Sequence, residues 1–168
     1  MAKRSDTVEI ERSLVEMTKD KGIYGCEEIT IGFVNQGHGN EIVDFMTMDS
    51  KGTIKCYEIK VTLQDLKSKA KKSWYGNYNY LVVSKELYDK VKDFSQFIPD
   101  HVGVIVGRYL ENVRKAKRVN IDNDTNVMLK ESLVRSMYWK MIKYKKLTCV
   151  ESKNDSDEDL LDIITNLN

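Results

Sequence analysis

Proline is all but missing from this chain: Pro99 is the single one among 168 residues, so no proline-rich linker divides it. Cysteine is scarce too. Cys26, Cys56 and Cys149 stand far apart with no CxxC spacing, which argues against a disulfide framework or a zinc site and favours reduced thiols in a cytoplasmic protein. The two histidines, His38 and His101, have no partner at ligand spacing. Nothing approaches the ~20 consecutive apolar residues of a membrane span. Met1–Asp6 leads directly into a charged helical pattern, not into the apolar core of a signal peptide. Neither membrane association nor export is expected.

What is present reads as globular. Hydrophobic residues make up 41% and charged residues 32%, a balance that supports a core beneath a well-solvated surface. The length suits one domain of ordinary size. Residues 1–148 are expected to form it, with 149–168 an acidic, flexible tail. The net charge is only +1, but it is unevenly spread: from Glu151 onward six acids face the single base Lys153, so this end carries −5 and the remainder +6. A basic body is compatible with a nucleic-acid partner.

Asp6-Thr7-Val8-Glu9 has the form of a capping box, opening a helix to about Lys19 with Ile10, Leu14 and Met17 at helical spacing. Glu11 falls inside that apolar arc. Glu28–Val34, Glu41–Asp49 and Thr53–Val61 read as three strands, joined by a glycine-bearing loop at 35–40 and a tight turn at 49–52. Thr62 caps a second helix from Leu63 to about Trp74. A strand at Tyr80–Ser84, a short helix at Lys85–Val91, an apolar strand at His101–Gly107 and a further strand at Val113–Val119 follow. Val127–Lys146 reads as a long helix with Leu129, Leu133, Met137 and Met141 on one stripe, and Asp159–Leu167 as a short amphipathic one. The order helix, three strands, helix, strand, helix, strand implies an α/β fold: a mixed central sheet flanked by helices, with a C-terminal helix added.

One group of residues carries chemistry. By the period of two, Ile42, Asp44, Met46 and Met48 share a face of the second strand, and Ile54, Cys56, Glu58 and Lys60 a face of the third. A carboxylate among apolar neighbours is costly unless something charged or hydrogen-bonding meets it. The turn at 49–52 makes the two strands antiparallel, which brings Asp44 close to Glu58. The pattern is therefore Asp, thirteen intervening residues, then Glu-Ile-Lys. Two carboxylates suit a hard divalent cation through oxygen, and a neighbouring lysine suits a water or an anionic transition state.

This arrangement resembles the PD-(D/E)xK nuclease superfamily, whose restriction-endonuclease-like core has this order of elements. More closely, the chain is similar to MmcB-like DNA-repair proteins and related small phage and bacterial proteins over roughly residues 8–120. The shared text is Val43-Asp44, Gly52, Glu58-Ile59-Lys60, Thr62, Asp65, Lys71, Tyr80-Leu81-Val82-Val83 and Ile98-Pro99-Asp100-His101-Val102-Gly103. Val43 stands where the superfamily has proline, and Lys71 is followed by Lys72, not by tryptophan. The resemblance implies Mg²⁺ or Mn²⁺ held by Asp44, Glu58 and the backbone carbonyl of Ile59, with Lys60 as catalytic lysine and DNA as substrate. It also allows a homodimer. The alternative expectation is an inactive module of the same fold that binds nucleic acid or protein.

Glu11 is a further candidate metal ligand, since some members of that superfamily add an acidic residue from the first helix; Glu28, at the start of the first strand, is another. Gln64 and Asp65 follow closely enough to touch substrate or a metal-bound water, with helix N-terminal capping the main expectation for Asp65. Lys67, Lys69, Lys71 and Lys72 crowd the second helix, with Trp74 behind them. Bases of this kind neutralise phosphates and rings of this kind stack on unpaired bases. Arg114, Lys115, Lys117 and Arg118 form a second basic cluster.

Overall fold

The computed structural model describes residues 4–19, 21–32, 41–68, 74–91 and 93–154, with side chains to Thr148. Helix α1 (Ser5–Thr18) is followed by strands β1 (Ile23–Ile31), β2 (Glu41–Asp49) and β3 (Ile54–Lys60) and a four-residue helix α2 (Leu63–Leu66). Strand β4 (Tyr78–Val83), helix α3 (Lys85–Lys90), strands β5 (Gly103–Val106) and β6 (Glu111–Arg114) and helix α4 (Asn123–Asn154) complete the order. The chain forms two compact units, Met1–Leu133 and Val134–Asn168. The sheet lies in the first.

The fold is a mixed α/β one. Six strands run in the order β1-β2-β3-β4-β5-β6. An antiparallel meander, β1 to β3, gives way to parallel pairing of β3 with β4 and β4 with β5, and β6 closes the edge antiparallel. Register assigns the faces. Tyr57, Ile59, Val82 and Ile105 line up on the side where Ile10 and Leu14 of α1 pack. On the other side Ile54 and Cys56 meet Leu129 and Leu133 from the first turns of α4, while Leu81, Val83, Val104 and Val106 meet Leu66 and Leu87 from α2 and α3. A strand covered on both faces has no solvated side to keep polar, so six of the seven residues of β3 are buried. Glu58 and Lys60 lie among those six.

Several boundaries differ from the sequence expectation. Asp6 does not cap α1: Arg4 holds that position without a side-chain hydrogen bond, and Asp6 sits in the first turn, where the helix dipole favours an acid. Strand β1 starts at Ile23 instead of Glu28. Thr62 does cap α2, accepting from the Asp65 N–H, but α2 stops at Leu66 and never reaches Trp74. The backbone at Gly76 presses against β3; a Cβ there would lie 3.0 Å from Cys56 N and from Ile54 O. Helix α4 outruns Lys146 to Asn154, since no glycine or proline interrupts it. The stripe expected on α4 divides: Leu129 and Leu133 are buried, whereas Met137 and Met141 are exposed. Val34, His38 and Asp159–Leu167 lie outside the described residues.

Gly103 is required by close approach. A Cβ on it would stand 2.6 Å from Tyr80 Cδ1 and 2.7 Å from both Ala116 N and Arg114 O. Two of those atoms are backbone and cannot rotate away. Gly103→Ala should therefore cost at least ~2 kcal/mol of stability, read as a lower denaturant midpoint at unchanged m-value.

Candidate functional site

The site is built where two ladders give out. Strands β2 and β3 pair from Met48/Ile54 to Phe45/Tyr57 and no further. One step on, the Ile59 N–H donates not to backbone but to the Asp44 carboxylate, 2.7 Å away. On the other side of β2 the β1 ladder pairs Glu27 with Phe45 and Ile29 with Val43, skipping Glu28 and Asp44. Glu28 has a left-handed backbone, φ 52°, a conformation costly for a residue with a Cβ and one that collects at functional sites. The kink also upsets alternation. Cys26 before it and Ile29 after it join one core cluster, as do Val43 and Met46 on either side of Asp44. The expectation that Ile42, Asp44, Met46 and Met48 share a single apolar face is thus corrected: Ile42 is 53% exposed and Val43 is buried.

Into the gap project Asp44 and Lys60 of the expected three, with several other residues; Glu58 is not part of the lining. Asp44, Ile59, Lys60, Glu11, Glu28, Asp65 and Thr7 line one cavity of about 210 Å³. Glu58 is 4% exposed and holds Lys60 Nζ at 3.0 Å through Oε1, while its Oε2 is buried with no hydrogen-bond partner. Lys60 Nζ also stands 3.7 Å from Asp65 Oδ1. A larger cavity, about 500 Å³, opens among α1 and the ends of β4 and β5. It touches none of Asp44, Glu58 and Lys60, and it lacks the convergence of carboxylates on one lysine that singles out the smaller one.

The electrostatics follow from crowding. Burial, then the charge of Asp44, push the Glu58 carboxyl up to about 7, with Lys60 only partly offsetting them. Burial likewise raises Asp44, against the pull of the Ile59 N–H and of Lys60. Burial opposes charge on Lys60, yet Glu58 and Asp44 together outweigh it and hold the ammonium above its ordinary range. These carboxylates lack enough positive charge among themselves. Perturbation of this kind, in a cavity, marks candidate functional residues.

The secondary candidates divide. Glu11 is buried and lines the cavity; Glu28 lines it from mid-strand but is exposed. Asp65, expected mainly at a helix start, lends its carboxylate to Lys60. Gln64 is exposed and outside the cavity lining. Lys67 is exposed at the end of α2; Lys69, Lys71 and Lys72 lie outside the described residues. Trp74 sits beyond α2, partly buried against the core cluster of Leu66 and Leu81. Arg114 donates to Val102 O and Pro99 O, a structural duty. Lys115, Lys117 and Arg118 beside it are exposed. Sequence reasoning gave too little weight to Glu28 and Asp65. No signal for the left-handed Glu28 exists in a run that reads Glu-Glu-Ile-Thr-Ile.

The chemistry of the donor set suits a hard divalent cation: Asp44, Glu11, Glu28 and Asp65 line the cavity, and Glu58, outside that lining, keeps a buried carboxylate oxygen, Oε2, without a hydrogen-bond partner. The spacing is looser than a finished site. Among the described residues no three of the His, Cys, Asp and Glu side chains are set to hold an ion as they stand, and Lys60 occupies Oε1 of Glu58. Cys26 and Cys56 are buried thiols that form no disulfide. No helix among the described residues is long and apolar enough to cross a membrane.

No protein-family model and no curated protein matches the chain at a significant level. Among solved structures it is similar to the SPO1766 protein of unknown function from Silicibacter pomeroyi, with a TM-score of 0.66 and 16% identity over 86% of this chain and 94% of that one. The likeness is one of fold.

Proposed function

We propose that this chain is a metal-dependent nuclease that hydrolyses DNA phosphodiesters, with Asp44, Glu58 and Lys60 at its centre. The observation that carries the reading is the meeting of the buried Glu58, the half-buried Asp44 and the buried Lys60 at the C-terminal end of β3, where the strands part. Asp44 and Glu58, with the Ile59 carbonyl, would hold Mg²⁺ or Mn²⁺. When bound, that ion supplies charge stabilisation to phosphate oxygens and lowers the pKa of a water. Lys60, released from Glu58, then has an ammonium free to hold a water or a non-bridging phosphate oxygen. Asp65 keeps it oriented. The Ile59 N–H fixes the Asp44 carboxylate by a short bond, so one ligand is set by backbone and not by a mobile rotamer.

A second reading has its own support. The Glu58–Lys60 contact and the loose carboxylate spacing also suit a module of this fold that binds nucleic acid or protein without cutting. One assay separates them: supercoiled plasmid, linear duplex and single-stranded DNA, each with Mg²⁺, Mn²⁺ or EDTA. The nuclease reading expects metal-dependent cleavage that Glu58→Ala and Lys60→Ala each reduce by at least ~100-fold. Cleavage that survives in both variants would remove the assignment. Tight DNA binding without cleavage would favour the module.

A further inference from the structure

We propose that one side of α4 in the second unit holds an unpaired DNA strand, with Lys143 and Lys146 on phosphates and Trp139 stacked on a base. DNA as the polyanion rests on the nuclease reading; the form of the strand and the place that holds it rest on α4 alone.

Residues 134–148 contain five bases, Arg135, Lys140, Lys143, Lys145 and Lys146, and no acid. So dense a positive stretch attracts a polyanion. Helical period sets part of it in line. Arg135, Trp139, Lys143 and Lys146 stand at i, i+4, i+8 and i+11, within about 80° of one another around the helix. The line is ~16 Å long at a rise of about 1.5 Å per residue, the reach of a few nucleotides. Arg135 is half-buried, whereas Trp139, Lys143 and Lys146 are exposed. Here the charge lies at the proposed contact itself.

Trp139 selects the form of the strand. Its indole is 62% accessible and meets Tyr138 edge-on, with 5.5 Å between ring centroids and 69° between planes. Charge alone does not call for an exposed indole in the middle of a basic stripe. In a duplex the bases already stack on one another, and phosphates are what meet such a stripe. An unpaired base has a free π-face, which an aromatic ring flanked by cations takes up. Arg135 and Lys143, one turn to either side of Trp139, are placed for the phosphates that flank that base. A lipid surface suits the helix less well. It would meet the apolar side, Val134, Tyr138 and Met141, but Lys145 continues that same line at i+11. Trp139 would then point away from the lipid, among the lysines.

The test uses the full chain in EDTA, so that no cleavage intervenes. Fluorescence anisotropy follows a labelled oligothymidylate of about 15 nucleotides and a duplex of the same length. The wild type should bind the strand more tightly than the duplex. Trp139→Leu should weaken strand binding ~5-fold or more, and Trp139→Phe should recover most of it. Lys143→Gln with Lys146→Gln should weaken it as well. That pair should also flatten the slope of log affinity against log salt by about 1.4, at ~0.7 per phosphate contact on a single strand. Lys140→Gln with Lys145→Gln removes the same charge from other sides of the helix and should leave the slope unchanged. No binding to the strand, equal affinity for the duplex, variants that bind like the wild type, or equal losses from the two lysine pairs would each overturn the proposal. So would binding to phosphatidylserine vesicles that Met137→Ser with Met141→Ser abolishes, in a protein that binds no DNA; the helix would then belong to a lipid surface. Strand binding without metal-dependent cleavage strikes the nuclease reading and leaves this site standing. Cleavage by a protein whose strand binding ignores Trp139 and both lysines does the reverse.

Discussion

Glu58→Gln should melt at a higher temperature than the wild type at pH 8, and at the same temperature at about pH 3.5, below the ordinary carboxylate range. The carboxylate is buried, has one unpartnered oxygen and lies beside Asp44, and its pKa is pushed up to about 7. A group whose folded pKa is raised holds its proton more tightly when folded. Stability therefore falls as pH rises from the ordinary carboxylate range, near 4.5, through about 7. Above that window the ionised form costs on the order of 3 kcal/mol, by the conversion of 1.36 kcal/mol per pKa unit. Glutamine has the shape of the neutral form and never ionises. The Lys60 contact does not reverse the sign, since its attraction is already included in the raised value. At pH 8 the gain should be several degrees in Tm; at about pH 3.5, where Glu58 is protonated in the folded and the unfolded chain alike, none. Equal melting at both values would mean that Glu58 is solvated or fully compensated. A residue whose removal stabilises the fold is kept for something other than folding.

The sequence made part of this arrangement legible and left part of it hidden. Strand β2 was readable to the residue because a glycine-bearing loop precedes it and Asp49-Ser50-Lys51-Gly52 follows it. There the Asp49 carboxylate accepts from Lys51 N and Thr53 N, a local bond that local reasoning finds. The proximity of Asp44 to Glu58 followed from that turn and the period of two. What failed was long-range. The second helix was expected from its Thr62 cap to reach about Trp74; the cap is there, but α2 ends at Leu66, and the close approach of Gly76 to β3 that follows is a contact no neighbour in sequence reports. The kink at Glu28, which turns β1 aside and adds a carboxylate to the cavity, is a tertiary event in a run with ordinary strand composition. Glu11 was the informative anomaly: an acid inside an apolar arc was a misfit for the core, and it lines the cavity instead.

The affinity of the site for Mg²⁺ or Mn²⁺ should rise steeply with pH up to about 7 and level off above it. Ligating oxygens must be deprotonated, so cation and proton compete for Glu58. With its carboxyl at about 7, the apparent affinity should fall ~10-fold per pH unit below that value. Asp44, raised as well, steepens the fall at the acid end. Calorimetric titration at pH 6 should record nearly one proton released per ion bound, seen as a dependence of the heat on buffer ionisation, and at pH 8 almost none. Glu58→Gln removes the titrating group and one ligand together, so whatever weak binding remains should lose the slope between pH 6 and pH 8. EDTA should return the melting temperature of the loaded wild type to its metal-free value, because an ion bound only by the native state stabilises by mass action. A flat pH profile with tight binding would place the ion on other carboxylates, Glu11 and Glu28 being the nearest candidates. No binding at any pH would leave the buried Glu58–Lys60 pair as a structural contact and move the proposal to the non-cutting module.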